Sequence, residues 1–255
     1  MKNQKFAIKI GNFLYNNCYG LYRLLYPVLK HRRDASEISV VKSHVKQGDT
    51  VLDIGANIGF MSRILSKCAG TEGCVYAFEP DSENYRRLQK ELKHLSNVKT
   101  IHAAVSDRQG VITLYRSPML NVDHRCYPID DYTSKEEVQS VTVDGFLPEG
   151  AKVAFIKMDI QGFEYTALQG MKRTLQQNEE HLKMLMELWP AGLKKAGASA
   201  IQLFDFLTQM DFELYLMENK KMSLLTRKQA LEKNDLPENI YFNVFVKRRD
   251  KLEHG

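Results

Sequence analysis

Two carboxylates close consecutive apolar runs early in the chain: Asp53 in "VLDIGANIGF" (51–60) and Glu79 in "VYAFEP" (75–80). The first run ends in a glycine turn and opens a helix, an arrangement that commonly holds a nucleotide. A phosphate loop needs Lys and then Ser or Thr after its glycines, whereas Phe60 and Met61 follow Gly59. A dinucleotide site needs GxGxxG spacing, and here Ala56, Asn57 and Ile58 separate Gly55 from Gly59. Asp53 would repel a pyrophosphate but suits a cationic ammonium or sulfonium. Glu79, 20 positions beyond Gly59, can accept both hydroxyls of a ribose and would disfavour a 2′-phosphate. An adenosine with a ribose diol and a cationic, phosphate-free tail is S-adenosylmethionine, the expected cofactor.

A third acid, Asp159 in "FIKMDIQGFE", ends a later strand. Lys157 lies two residues earlier and so shares its face, where an ammonium keeps a carboxylate ionised. Methyl transfer from a sulfonium is an in-line displacement, and a positioned base helps if the nucleophile is a weakly acidic hydroxyl, so Asp159, Lys157 and Glu187 of "LKMLMELWP" are the expected catalytic residues. Glu164, Trp189 and His124 are the expected substrate contacts: an acid in the next helix's first turn, an aromatic face for a sugar, and a histidine in a polar insertion. Asp159 with Glu187 could hold a divalent ion that acidifies the hydroxyl. The spacing does not demand one, and no metal is expected. His102, inside "TIHAAVS", reads as structural.

These residues need a frame. The 255 residues, 44% apolar and 26% charged, fit one α/β domain with additions. From residue 47 strands alternate with helices: "TVLDIGA", "GFMSRILSKCA", "CVYAFEP", "DSENYRRLQKELKHL", "NVKTIHAAVS". Residues 110–147 break the pattern with the short strands "VITLYR" and "VQSVTVDGFL". It resumes with "KVAFIKMDI", one helix over "FEYTALQGMKRTLQQ", "HLKMLMELW" and "SAIQLFDFLTQM". "FELYLME" and "IYFNVFVKR" form an antiparallel end. The expected fold is a doubly wound, mostly parallel, seven-stranded Rossmann-like sheet (45–255), with a β-rich insertion after the third strand and an N-terminal helical arm (1–44).

In the arm, Tyr15, Tyr19, Tyr22 and Tyr26 share one helical stripe, with Leu14, Cys18, Leu21, Leu25 and Leu29 beside it. A break at Gly20 and an end near Pro27 are expected. The arm is a lid over the cofactor, a homodimer interface or a peripheral membrane contact; its basic flanks keep the last open. The net charge of +5 is too diffuse for a nucleic-acid partner. Four cysteines without a CxxC pair, no secretory leader pattern and no membrane-length apolar run point to a reduced, cytoplasmic protein.

In order, "VLDIGANIGF", "VYAFEPDSENYRRL", "AVSDRQGVITLY", "VTVDGFL" and "FIKMDIQGFEYTALQGM" resemble the FkbM family of S-adenosylmethionine-dependent methyltransferases over about two-thirds of the chain. The resemblance implies a class I methyltransferase fold and O-methylation of a sugar, glycan or related metabolite. It implies cofactor contacts from Asp53, Gly55, Ala56, Asn57, Gly59, Glu79 and Pro80, with Ala104 and Val105 against adenine. In "VTVDGFL", Gly145 stands where the family more often has a second acid. Two rival readings are a nicotinamide oxidoreductase, opposed by the glycine spacing and Asp53, and a catalytically inactive scaffold that keeps the fold and associates with a membrane or a partner.

Overall fold

The computed structural model describes residues 2–117, 123–178, 181–218 and 221–249, with side chains from Ile10 onward. Three helices come first: α1 (Lys2–Asn17), α2 (Tyr19–Arg33) and α3 (Ala35–His44). The alternating region follows as β1 (Thr50–Ile54), α4 (Phe60–Ala69), β2 (Cys74–Phe78), α5 (Ser82–Leu92) and β3 (Val98–Ile101). The insertion holds β4 (Ala104–Val105), β5 (Gly110–Arg116), β6 (Ser134–Val141) and α6 (Val143–Phe146). Alternation returns with β7 (Phe155–Met158), α7 (Glu164–Gln169), α8 (Lys172–Gln177), β8 (Lys183–Leu188), α9 (Pro190–Lys195) and α10 (Ala200–Gln209). The chain closes with β9 (Phe212–Glu218), β10 (Lys221–Leu224), α11 (Arg227–Glu232) and β11 (Phe242–Arg248).

The main sheet runs β10-β9-β11-β8-β7-β1-β2-β3. β3, β2, β1, β7 and β8 are parallel, while β11 lies antiparallel to both β8 and β9. Parallel strands covered on both faces are near-continuous apolar runs, and every residue of β7 is buried, Lys157 included. The sheet has eight strands where seven are expected. The extra one, β10, pairs antiparallel with the edge strand β9. All four of its residues are exposed, so no apolar run announces it. The insertion forms its own three-stranded sheet, β4-β6-β5.

Four local departures from the sequence reading have physical causes. The arm breaks at Cys18 rather than Gly20, and α2 runs through Pro27 to Arg33. Stacked Tyr22 and Tyr26 (4.9 Å) and the Lys30–Asp34 ion pair (2.6 Å) brace it on either side of the proline. Residues 143–146 are helical rather than extended because the Thr142 hydroxyl caps them, accepting from the Gly145 N–H. Gly145 stands where a Cβ would meet the Gln109 amide at 2.2 Å. Asp144 instead serves the start of α8, accepting from the N–H groups of Arg173 and Thr174 at 2.9 Å each. Finally, one expected helix is two, parted at Gly170, where a Cβ would come within 1.9 Å of the Ser106 carbonyl.

The helical arm packs on α5. The Arg87 guanidinium lies 3.6 Å from the Tyr15 ring centroid and 4.1 Å from that of Tyr19, while the Tyr15 hydroxyl donates to Asn84 Oδ1 at 2.5 Å. Such cation–π contacts contribute about 0.5–2 kcal/mol each. The Asp81 carboxylate caps α5, accepting from the N–H groups of Glu83 (3.1 Å) and Asn84 (2.8 Å).

Candidate active site

Strand order reverses between β1 and β7, which opens a crevice at their carboxyl ends. Gly55, Ala56 and Asn57 line it from the first turn, and Glu79 and Pro80 from the end of β2. Ala104 and Val105 of β4 and His124 and Cys126 of the insertion form another side. Lys157, Asp159 and Gln161 stand at the end of β7, and Tyr26, Lys30 and Glu37 of α2 and α3 complete the wall.

The first turn is wound tightly. Gly55 has φ +83°, Asn57 φ +50° and Gly59 φ +89°, values in the left-handed region that glycine adopts without strain. At Gly55 a Cβ would stand 2.0 Å from the Asp159 carbonyl oxygen, so the turn abuts the loop after β7 directly. Glu79 ties the turn to β2: Asn57 N–H donates to Oε2 (2.8 Å) and Asp81 N–H to Oε1 (3.0 Å). Burial pushes the Glu79 carboxyl up to about 8 against the opposing pull of those amides.

Two expected cofactor residues lie behind the wall. Gly59 turns its bare face to Leu88 and Leu92, each within 2.9 Å of a built Cβ, and so sets how closely α4 meets α5. Asp53 is fully buried, its Oδ2 accepting from the Ser62 hydroxyl at 2.5 Å. Its Oδ1 has no hydrogen-bond partner among the described residues, and burial raises its carboxyl pKa while Lys157 opposes the rise.

At the end of β7, Lys157 Nζ stands 3.5 Å from Asp159 Oδ2. The Gln161 side-chain amide donates to Asp159 Oδ1 (2.9 Å) and to Glu187 Oε2 (3.1 Å), joining the two acids. Gln161 itself has φ +57°, a conformation that costs a non-glycine residue about 1–3 kcal/mol and concentrates at functional sites. Burial acts to raise the Asp159 pKa, but Lys157, Lys30 and the Gln161 amide outweigh it and hold the carboxyl below its usual range. Glu187 moves the other way, raised well above an ordinary carboxyl by burial and by the charges of Asp159 and Glu164. Burial would lower the Lys157 pKa, yet Asp159, Asp53, Glu37 and Glu187 together raise it, so the amine remains an ammonium. The cluster therefore pairs one ionised acid with one held toward its protonated form.

The other expected contacts are differently placed. Glu164 is fully buried and outside the cleft wall. Its Oε1 accepts from the N–H groups of Ile160 (3.1 Å) and Gly162 (3.2 Å), fixing the loop that carries Asp159. Burial raises its pKa to about 7. Trp189 is buried too; its indole N–H donates to the Glu238 carbonyl (2.8 Å) and the Arg125 guanidinium covers its ring at 4.6 Å. That ring holds the insertion against α9 and offers no open platform. His124 does line the cleft, with Nδ1 accepting from Ser117 N–H at 3.2 Å, and burial lowers its pKa. His102 is structural as expected, stacked on Tyr85 and bonded to the Pro80 carbonyl.

Sequence reasoning missed Gln161, Tyr26, Lys30 and Glu37. Tyr22, Tyr26 and Lys30 are spaced i, i+4, i+8, a helical stripe that carries a signal for the last two positions. Gln161 carries none beyond its place between Asp159 and Gly162.

The residues fit S-adenosylmethionine. Glu79 offers a carboxylate in the wall, the buried Asp53 beneath keeps one oxygen unsatisfied, and no cation stands on the glycine turn to select a phosphate. Among the described residues no group of three or more His, Cys, Asp or Glu is arranged to hold a metal ion.

Comparison with known proteins agrees with this chemistry. Residues 53–214, more than half of the chain, match the model of the methyltransferase FkbM domain. No curated protein sequence matches. A Clostridium thermocellum structure assigned as an rRNA methylase superposes with a TM-score of 0.53 at 13% identity, over 85% of this chain and 96% of its own. A Streptococcus mutans structure assigned as a methyltransferase, in complex with S-adenosylhomocysteine, gives a TM-score of 0.51 at 14% identity, over 84% and 96%. At such identities the likeness shows the fold, that of class I methyltransferases.

Proposed function

The chain belongs to the FkbM methyltransferase family, with S-adenosylmethionine as methyl donor, and from that premise we propose that it methylates a hydroxyl oxygen of a sugar, glycan or related small metabolite. The observation that carries this reading is the cluster of Lys157, Asp159, Gln161 and Glu187 beside the cofactor turn. The bound donor supplies an electrophilic methyl on a sulfonium. Asp159, about a third exposed and held ionised, receives the hydrogen bond of the acceptor hydroxyl and aligns one oxygen lone pair. With the donor bound, an O–C bond to its methyl would form as the S–C bond breaks and S-adenosylhomocysteine leaves; the acceptor oxygen would become acidic, and Asp159 is placed to take its proton. Lys157 keeps Asp159 charged until then. Gln161 fixes the carboxylate's orientation, and burial together with the charges of Asp159 and Glu164 disfavours the charged form of Glu187, which limits a second negative charge beside the nucleophile. The test is transfer of labelled methyl from S-adenosylmethionine to a panel of sugars, glycans and amines, with products identified by mass spectrometry. Methyl ethers are the expected products; methylated amines alone would overturn the reading.

Glu79 makes cofactor binding depend on pH. The free carboxyl retains its proton up to about pH 8, whereas ribose hydroxyls donating to it favour the ionised form. Binding therefore releases a proton, and affinity for S-adenosylhomocysteine rises with pH toward that value and then levels, by at most about tenfold per pH unit. Calorimetry in two buffers of different ionisation enthalpy counts the proton. Glu79→Gln should flatten the profile; an equally steep profile in that variant assigns the proton elsewhere.

A further inference from the structure

Helix α2 is apolar on two sides. Tyr22 and Tyr26 face the domain, with Tyr22 buried and Tyr26 lining the cleft. On the opposite side Leu21, Leu24, Leu25, Val28 and Leu29 follow i, i+3, i+4, i+7, i+8 spacing, and all five are 46–68% exposed. On α1, Phe13 is exposed as well. A contiguous apolar stripe of this kind marks an interaction surface.

Charge decides what covers it. Residues 1–33 contain seven Lys and Arg and no Asp or Glu, while the remainder of a chain of net charge +5 sums to −2. Around the stripe, Arg23 and Arg63 share the single carboxylate of Glu91 (3.4 and 3.2 Å), and Lys30 and Arg33 share Asp34 (2.6 and 2.9 Å). Arg32 adds a further cation, so with Lys30 left to the cleft wall, four arginines stand against two carboxylates around the stripe. Arg23, Arg32 and Arg63 line a groove between α2 and α4 together with Leu24, Val28 and Ile64, so cations and apolar side chains alternate along one opening. A second copy of this face would oppose positive charge to positive charge. A surface both apolar within and anionic at its rim satisfies both features. Among the described residues no helix is long and apolar enough to cross a membrane, which leaves lying along one.

We propose that the outer face of α2 docks in the interface of an anionic phospholipid bilayer, with Leu24, Val28 and Leu29 inserted among the acyl chains and Arg23, Arg32 and Arg63 at the headgroups. The same helix lines the catalytic cleft through Tyr26 and Lys30, so docking brings the cleft's arm wall to the lipid surface.

The full chain is floated with vesicles of phosphatidylcholine alone and of phosphatidylcholine mixed with phosphatidylglycerol, at low and high salt. Expected is flotation with the anionic vesicles only, lost at high salt through screening. Leu24→Glu with Leu29→Glu should abolish it, and Arg23→Gln with Arg32→Gln should weaken partitioning about tenfold or more. Far-UV circular dichroism and melting temperature, unchanged by these exposed substitutions, confirm folding. Wild type that stays unbound from anionic vesicles overturns the proposal, as does a Leu24→Glu, Leu29→Glu variant that floats as well as wild type. A wild-type dimer rendered monomeric by that pair, with no flotation of either, assigns the face to a protein contact instead.

Discussion

Asp159→Asn is expected to lower the methyl-transfer rate by about 10²–10⁴-fold while leaving S-adenosylhomocysteine affinity within a few-fold of wild type. The substitution preserves shape and the backbone carbonyl that abuts Gly55, so the first turn keeps its support. What it removes is the one ionised, partly exposed acceptor in the cluster. The amide cannot take a proton, and Lys157 loses the partner at 3.5 Å that it holds charged. The readout is initial rate with an acceptor found in the methyl-transfer panel, beside calorimetric affinity for S-adenosylhomocysteine. A rate within tenfold of wild type would remove Asp159 from the reacting atoms and turn attention to Glu187 or His124.

Gly55→Ala is expected to be strongly destabilising. The residue sits at φ +83°, and an added Cβ would approach the Asp159 carbonyl oxygen to 2.0 Å. A left-handed non-glycine residue costs about 1–3 kcal/mol, and forcing backbone against backbone in a packed site adds about as much again. Urea unfolding should therefore show a loss of roughly 3 kcal/mol or more. Any folded fraction should bind cofactor poorly, because relief of the clash separates the first turn from the loop after β7. Stability within about 1 kcal/mol of wild type would mean that this loop yields easily, contrary to the close packing described.

The parts of the site legible in sequence are those whose chemistry sits at strand ends. Asp53, Glu79 and Asp159 each close an apolar run, and the glycine spacing between the first two excludes the phosphate-binding alternatives. Their division of labour was less legible. Asp53 and Glu164 share the residue type of the acids in the cleft wall, yet both are fully buried, and burial depends on packing from α4 and from the loop after β7. Trp189 reads as an open aromatic face until Arg125, 64 positions earlier, covers it. The wall residues Tyr26, Lys30 and Glu37 come from helices far from the cofactor motif in the chain, brought in by Arg87 between two tyrosine rings. Pro27 reads as a helix end because the ring removes a backbone donor, but aromatic stacking on one side and an ion pair on the other carry the helix through. β10 escaped notice because a fully exposed edge strand needs no apolar period.

The most direct measurement is calorimetric titration of S-adenosylhomocysteine into the wild-type chain and into Glu79→Ala, at a pH above 8 so that the carboxyl is ionised. Removing an acceptor of two charge-assisted hydrogen bonds should weaken binding about 100-fold or more. Glu79→Gln keeps the shape and one acceptor oxygen, enough for the Asn57 or the Asp81 amide but not both, so it removes less than Glu79→Ala. Micromolar binding by wild type, strongly weakened in Glu79→Ala and weakened by an intermediate amount in Glu79→Gln, is the predicted result. Absence of binding by wild type, or equal affinity in all three proteins, would contradict a cofactor site built on Glu79.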